Sequence, residues 1–156
     1  MIPYGLYVMT AKDKDDRISA ATVNWVTQAS FKPPQVAVGV KADSQICDIV
    51  KTAGNFALNV LGKGQQGAAY TFFKPAEKDG QKISGESFRA GSTGAPVLEN
   101  TPAFVKCSLV TTVDEGDHSI FVREVVDTGV TQEPEGRADE ATLLLKDLGE
   151  KTFYSG

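Results

Sequence analysis

The segment Phe104–Val130 constrains the fold of this chain more than any other stretch. Two runs rich in Val, Ile, Thr and Phe, FVKCSLVTTV and HSIFVREVVDTGV, are separated by the four residues DEGD. β-Prone runs on either side of a short acidic loop that contains glycine are typical of an antiparallel hairpin. The segment therefore predicts a hairpin whose loop lies at residues 114–117.

The only histidine of the chain, His118, stands where the returning strand begins. An imidazole titrates near neutral pH and can donate or accept a proton or a hydrogen bond, so a histidine at the rim of a sheet can take part in chemistry. It can equally be a solvated side chain at the edge of a hairpin. The hairpin by itself leaves both interpretations open.

Length and charge limit the classes of protein to which the chain can belong. A chain of 156 residues with 41% hydrophobic residues predicts one domain, residues 1–156, with a sizeable core. The net charge is −4 and the basic residues are scattered, so no nucleic-acid or anionic membrane partner is expected. The sequence has no bilayer-length apolar run and no signal peptide, which predicts a soluble, cytoplasmic protein. A strand-like run so soon after Met1 is compatible with a domain cut from a longer polypeptide.

The remaining strands are predicted from short apolar runs. These runs are residues 6–11, 17–24, 35–40 and 56–61, and the pair Pro33-Pro34 separates the second from the third. The run at 35–40, QVAVGV, is typical of a strand buried on both faces. Asn59 is a polar residue inside the last run and needs a hydrogen-bond partner, which can be a functional group or the local backbone.

One amphipathic helix is predicted over Ser44–Ala53. Apolar side chains recur at spacings of three and four, Ser44 is a candidate N-cap, and Gly54 is a candidate C-terminal stop. A second, weaker helix is expected at residues 65–73, and a long loop with at most a fragment of regular structure at residues 74–96. Because no alternating βαβ pattern occurs, these elements predict a mainly antiparallel β-barrel with a few peripheral helices.

The motifs of common hydrolases and metal sites are absent. One histidine and the isolated Cys47 and Cys107 predict no metal site and no redox pair, and Asp114 and Glu115 are best explained as solvated loop charges. The turn Lys41–Ile46 (KADSQI) is more informative. There a buried strand ends, a cation and a hydroxyl follow, and the free N–H groups of a helix start face the same place, as in sites that hold phosphate without a P-loop. Ser44 can also be only a helix cap.

The order of these segments resembles that of a known family. The PP-containing strand, the turn KADSQI, the strand NFALNVL and the hairpin GDHSIFVREVV are similar in order to the flavin reductase-like domains, which bind FMN in a split β-barrel. The modules fused to flavodiiron proteins are the most similar, because ATVNWVTQASFKPP (residues 21–34), STGAPVL (92–98) and GDHSI (116–120) match their pattern. The resemblance covers nearly the whole chain.

This resemblance implies functions for particular residues. The ring of FMN, or of FAD, would be lined by Asn24, Trp25, Val26 and Thr27, and its ribityl phosphate would be held by Lys41, Ala42, Ser44 and Gln45. Phe73 and Lys74 would approach the same pocket, either from the same chain or from the other subunit of a homodimer. His118 would stand where the nicotinamide of NAD(P)H docks and act as the catalytic residue, and Tyr154 is a weaker candidate for covering the site.

The chain departs from the family pattern at two places. Many members carry Gly-Met-Thr-Val-Ser-Ser at residues 20–25, and many have arginine or threonine where Gln45 stands. Trp25 could cap the flavin ring or obstruct a second ligand. Three functions follow from the resemblance: an oxidoreductase that passes hydride from NAD(P)H to flavin, a module that holds FMN and relays electrons from a fused or separate redox domain, and a flavin-free barrel for dimerisation or regulation.

Overall fold

The computed structural model describes residues 2–153, apart from the side chain of Leu109. Tyr154 lies outside the described residues. The described elements are β1 (Tyr7–Lys12), β2 (Ile18–Val23), β3 (Trp25–Phe31), β4 (Pro34–Lys41), α1 (Gln45–Ala53), β5 (Asn55–Val60), α2 (Gln66–Thr71), β6 (Lys78–Asp79), β7 (Lys82–Ile83), β8 (Glu86–Arg89), β9 (Val97–Leu98), β10 (Ala103–Val113), β11 (His118–Val130), α3 (Ala138–Ala141) and a 3₁₀ helix (Leu145–Leu148).

Seven antiparallel strands form the main sheet in the order β2-β1-β5-β10-β11-β4-β3. The predicted hairpin is β10–β11, and its loop occupies residues 114–117 as expected. The hairpin lies inside the sheet, because β5 pairs with β10 and β4 pairs with β11. The prediction of a mainly antiparallel barrel with few helices is confirmed.

The connection between β2 and β3 explains why the sheet curls. These strands lie at opposite edges of the sheet, yet only Asn24 separates the end of β2 from the start of β3. The two Cα–Cα steps from Val23 to Trp25 span at most about 7 Å, so the two edges must approach each other at Asn24. The result is a barrel whose edge strands meet at one corner, which is the split-barrel form that the resemblance implied.

Helix α1 begins and ends at the predicted residues. Ser44 is extended at φ −90° and ψ 149°, and its hydroxyl oxygen accepts a hydrogen bond from the Cys47 N–H at 3.3 Å. Gly54 adopts the left-handed conformation at φ 72°, and its N–H donates to the Val50 carbonyl at 2.9 Å. The predicted buried face is also confirmed, because Ile46, Ile49 and Val50 belong to the core between α1 and the sheet.

Asn59 serves the fold. Its side chain is fully buried, and its amide nitrogen donates to the Val8 carbonyl at 2.9 Å and to the Thr10 hydroxyl at 3.1 Å. Its amide oxygen accepts the Leu98 N–H at 2.8 Å. One side chain thereby joins β1, β5 and β9, so Asn59 has a structural role, although the backbone groups that it satisfies are remote in the sequence and not local.

The region at residues 74–96 is more ordered than its composition suggested. The strands β6, β7 and β8 lie within it, and with β9 they form a second, four-stranded sheet. The strands have only two to four residues, which is too short for a periodic pattern to appear in the sequence. None of the helices in residues 2–153 is long and apolar enough to cross a membrane.

Candidate functional site

A cavity of about 520 Å³ opens where β2, the end of β4 and the start of α1 meet the segment that follows α2. It contains five of the residues that the resemblance assigned to the flavin: Lys41, Ser44, Gln45, Phe73 and Lys74. The other lining residues are Ser19, Ala20, Ala21, Val23, Val40, Asp43, Ile46, Phe72 and Pro75. Residues far apart in the sequence therefore meet at one cavity.

The start of α1 makes one end of this cavity suited to an anion. The Cys47 N–H donates to the Ser44 hydroxyl and the Asp48 N–H to the Ser44 carbonyl, whereas the N–H groups of Gln45 and Ile46 have no acceptor among residues 2–153. Free N–H groups at a helix N-terminus attract negative charge. The two lysines of the cavity add positive charge, which Asp43 offsets in part by pairing with Lys41 at 3.3 Å.

Two side chains of β2 fix the opposite wall. The Thr22 N–H donates to the Phe72 carbonyl at 3.0 Å and its hydroxyl to the Ala69 carbonyl at 2.8 Å, so the end of α2 is held against β2. Ser19 donates to the amide oxygen of Gln45 at 3.2 Å, which ties β2 to the first residue of α1. Hydrogen bonds from β2 therefore hold both the end of α2 and the start of α1 in place around the cavity.

Asn24 is a buried polar residue without partners. Asn24 is only 1% exposed, and neither the amide nitrogen nor the amide oxygen of its side chain has a hydrogen-bond partner among the described residues. Buried amides are nearly always satisfied in folded proteins, so such a pair of free groups indicates a missing ligand or partner. Asn24 does not line the cavity, but the preceding residue, Val23, does.

His118 lies on the outer side of the sheet, where its ring contacts Trp25 and Asp117. Its ring lies 4.2 Å from that of Trp25, with the planes tilted by 35°, and its Nδ1 lies 2.8 Å from the Asp117 carboxylate. The hydrogen bond from His118 holds the pKa of Asp117 below its ordinary value. In the sheet His118 is paired with Lys41, a residue of the cavity wall, although its own side chain is not among the lining residues.

Gly39 allows the tryptophan to take this position. A Cβ atom on Gly39 would lie 3.0 Å from Cε3 of Trp25, which is closer than side chains normally approach. The indole therefore covers the backbone of β4 and reaches the imidazole on the next strand. The strand predicted to be buried on both faces has its buried valines on one side and this indole on the other.

Besides Asn24, four predicted flavin ligands lie outside the cavity wall. Trp25 packs on His118, Val26 packs against the core, and Thr27 is exposed and donates to the Gln28 carbonyl at 3.2 Å. Ala42 ties the turn to the hairpin, because its N–H donates to the Asp117 carbonyl at 2.9 Å. As cofactor ligands all four remain predictions.

Sequence reasoning missed the part of the wall formed by β2 and by Phe72. Ser19, Ala20 and Ala21 are small residues of an edge strand, and nothing in their local pattern marks a site. Only the order of the strands, which brings β2 beside the start of α1, could have identified them.

The two cysteines lie inside the core, and the structure joins them in no disulfide. Both thiols are buried and free, and burial raises the pKa of Cys107 to about 12. Within the described ranges, no three His, Cys, Asp or Glu side chains come close enough to hold a metal ion. A second depression, of about 790 Å³, is lined by the carboxylates of Glu133, Glu135, Asp139 and Glu140, which disfavour an anionic ligand.

The curled antiparallel sheet, with its edges meeting at Asn24 and a helix start beside the cavity, defines the class of split-barrel proteins. The chain belongs to the flavin reductase-like family, because residues 1–149 match the family described as "Flavin reductase like domain". The family predicted from the segment order is confirmed.

Individual relatives agree with this assignment. The chain is 34% identical over 131 residues to a flavin reductase of Pseudomonas putida, an alignment that covers 84% of the chain and 75% of the relative. It is 36% identical over 115 residues to the putative diflavin flavoprotein A 3 of a Nostoc species, covering 73% of the chain and 20% of the relative. The chain thus spans about a fifth of that larger protein.

A solved structure shares the fold. The NADH:FAD oxidoreductase SgcE6 of Streptomyces globisporus C-1027, in complex with NAD and FAD fragments, is 25% identical to the chain with a TM-score of 0.76. The match covers 98% of the chain and 87% of that structure. The similarity of fold therefore extends over nearly the whole chain.

Proposed function

We propose that the protein is an FMN-binding oxidoreductase that transfers hydride from NAD(P)H to flavin. The observation that carries this proposal is the cavity at the start of α1, which unites Lys41, Ser44, Gln45, Phe73 and Lys74. Its residues fit a flavin phosphate, because the free N–H groups of a helix start and two lysine residues line one space, whereas the Ser44 hydroxyl donates to the Lys41 carbonyl at 2.7 Å. The unpaired amide of Asn24 beside the cavity adds a donor and an acceptor for a polar ring edge.

Each end of the cavity would take a different part of the cofactor. The helix start would bind the phosphate, while Val23 and Phe72 supply apolar surface for a ring. FMN and FAD share the ring, the ribityl chain and this phosphate. FMN ends there, whereas FAD continues into a second phosphate and an adenosine, so FAD is the alternative ligand of the same cavity. Bound flavin would supply the hydride acceptor, and the protein's task is to align it with the donor and to exclude water.

His118 would hold the nicotinamide side of the site. With Asp117 at Nδ1 and Trp25 against its face, the imidazole has a defined orientation toward the proposed nicotinamide side. The stack with Trp25 covers one face of the ring, so a nicotinamide would have to approach at the other face or displace the indole.

Replacing His118 by Ala is expected to lower kcat/KM for the reduced nicotinamide by about 100-fold, the scale of a lost acid–base or orienting group. FMN affinity should stay unchanged, because the side chain does not line the cavity. Stopped-flow reduction and flavin fluorescence titration measure the two quantities. His118→Gln, which retains a hydrogen-bonding group, should recover part of the loss. Wild-type kinetics in the alanine variant would remove His118 from the mechanism.

Anaerobic reduction tests the function as a whole. The purified protein, loaded with FMN, is mixed with NADH and in parallel with NADPH, and the flavin absorbance is followed. Bleaching by either nucleotide supports the oxidoreductase. A yellow protein that is inert to both favours the electron relay, and a protein that neither retains FMN nor quenches its fluorescence favours the flavin-free barrel.

We also propose a homodimer that uses the outer face of the sheet. This outer face consists of Trp25, Gly39, Ile120 and Val113, which are paired side by side across β3, β4, β11 and β10. Ile120 and Val113 are 44% and 43% exposed. The face carries a cation, Lys41, at one end and Glu124 at the other, so a two-fold axis near Ile120 would bring opposite charges together.

Replacing Ile120 by Glu is expected to weaken dimerisation by about 100-fold or more, because each new carboxylate would face its own copy across the axis. Light scattering after size exclusion measures the mass as a function of concentration. Val130→Glu is the control: it also replaces an exposed apolar side chain of β11 by a carboxylate, ten residues further along and outside the outer face. A monomeric wild type, or equal masses for both variants, would contradict this interface.

A further inference from the structure

We propose that Asp114 is a positioning residue that holds the hairpin loop, which directly precedes His118, against helix α1. Asp114 thereby fixes the position of the nicotinamide side of the site relative to the phosphate end of the cavity. The inference rests on the proposed function for its kinetic consequence. Its structural part can be tested without flavin or nicotinamide. Asp114 lies in the exposed loop that the sequence predicted and its side chain is 52% exposed, but the geometry adds two specific contacts to the interpretation as a solvated charge.

Asp114 makes two contacts that its neighbour Glu115 lacks. Its carboxylate pairs with the ammonium group of Lys51 at 3.0 Å and accepts a hydrogen bond from the hydroxyl of Ser119. These contacts from Ser119 and Lys51 hold the pKa of Asp114 below its ordinary value, so the carboxylate is ionised at neutral pH. Glu115 is exposed and forms no hydrogen bond or ion pair among the described residues.

Ser119 continues the connection into the buried side of α1. Its side chain is fully buried, and its hydroxyl oxygen lies 3.4 Å from the Cys47 sulfur, whose thiol donates to it. The Cys47 N–H in turn donates to the hydroxyl of Ser44, at the cavity. Asp114 is thus linked to α1 twice, through Lys51 in its last turn and through Cys47 in its first turn.

The other end of the loop is fixed to the same region. The Asp117 carbonyl accepts the Ala42 N–H at 2.9 Å, two residues before the Ser44 cap. The four-residue loop therefore has one anchor at each end, and both anchors lead to α1. His118 follows the second anchor directly and is oriented by the carboxylate of Asp117. A displacement of the loop would move the imidazole relative to the phosphate end of the cavity.

The single tryptophan of the chain reports on this arrangement directly. Trp25 stacks on His118, so a shift of the hairpin end changes how well the imidazole shields the indole. The accessible measurement is quenching of Trp25 fluorescence by acrylamide in the flavin-free protein. We expect the quenching constant to rise in Asp114→Asn and in Lys51→Met, and to keep its wild-type value in Glu115→Gln, which removes the same charge from the same loop.

The kinetic expectation separates positioning from folding. In the FMN-loaded protein, Asp114→Asn should raise KM for the reduced nicotinamide by about tenfold, a typical size for coupling between two sites. The dissociation constant of FMN should change little. The double variant Asp114→Asn/Lys51→Met should be no worse than the more affected single variant, because the two side chains act as one unit.

Three outcomes would overturn the proposal. The first is equal quenching constants in Asp114→Asn and Glu115→Gln. The second is additive effects of the Asp114 and Lys51 substitutions. The third is a nicotinamide KM that stays at the wild-type value although quenching changes. If the wild type is inert to both nucleotides, the proposed function fails, and the quenching and additivity results still decide whether Asp114 positions the hairpin.

Discussion

Replacing Ser44 by Asp is expected to lower the affinity for FMN by about 100-fold or more, because a carboxylate placed beside a phosphate costs several kcal/mol. Helix α1 should keep its stability. Asp is as good an N-cap as Ser, and its charge is favourable at the positive end of the helix. Fluorescence titration with FMN gives the affinity, and thermal unfolding of the flavin-free protein gives the stability.

This substitution distinguishes the two interpretations of Ser44 that the sequence left open. If Ser44 is only a cap, Ser44→Asp binds FMN as the wild type does. Ser44→Asn is the matched control, since it caps the helix and is neutral, and it should retain most of the FMN affinity. Raised salt should weaken FMN binding to the wild type, because charge attraction contributes to it. Equal affinities of the Asp and Asn variants would rule out a phosphate at the start of α1.

Replacing Asn59 by Leu is expected to lower the free energy of unfolding by about 3 kcal/mol, since each buried polar group left unsatisfied costs roughly 1–3 kcal/mol. The Leu98 N–H would lose the acceptor Oδ1, and the Val8 carbonyl would lose the donor Nδ2. Leucine has a similar volume, so lost hydrogen bonding rather than a cavity dominates. Urea unfolding followed by Trp25 fluorescence measures the change.

Asn100→Leu is the control for this prediction. Asn100 is exposed, and its side chain makes no hydrogen bond among the described residues, so the change in stability should stay within about 0.5 kcal/mol. A loss below about 1 kcal/mol in Asn59→Leu would mean that the buried amide does not hold β9 on the barrel. The FMN affinity of Asn59→Leu, measured below its unfolding transition, should be that of the wild type.

The elements that the sequence predicted are those whose signal is local. The β10–β11 hairpin follows from two β-prone runs around DEGD, and α1 follows from spacing, a serine cap and a glycine stop. The four strands at residues 78–98 were not predicted. Strands of two to four residues are stabilised by tertiary contacts and are too short to show a periodic pattern of apolar residues. Asn59 illustrates the same limit, since its partners come from β1 and from Leu98, residues remote in the sequence.

The candidate site divides in the same way. The sequence by itself determined the family, the helix start at Ser44 and the position of His118 after the loop, because these depend on short motifs and on their order. Only the tertiary structure decided that β2 and Phe72 form the far wall of the cavity, that Trp25 rests on Gly39 and His118, and that Asp114 joins the hairpin to α1. The physical reason is the curl of the sheet, which brings strands from opposite edges together at Asn24 and sets distances that no local pattern of residues encodes.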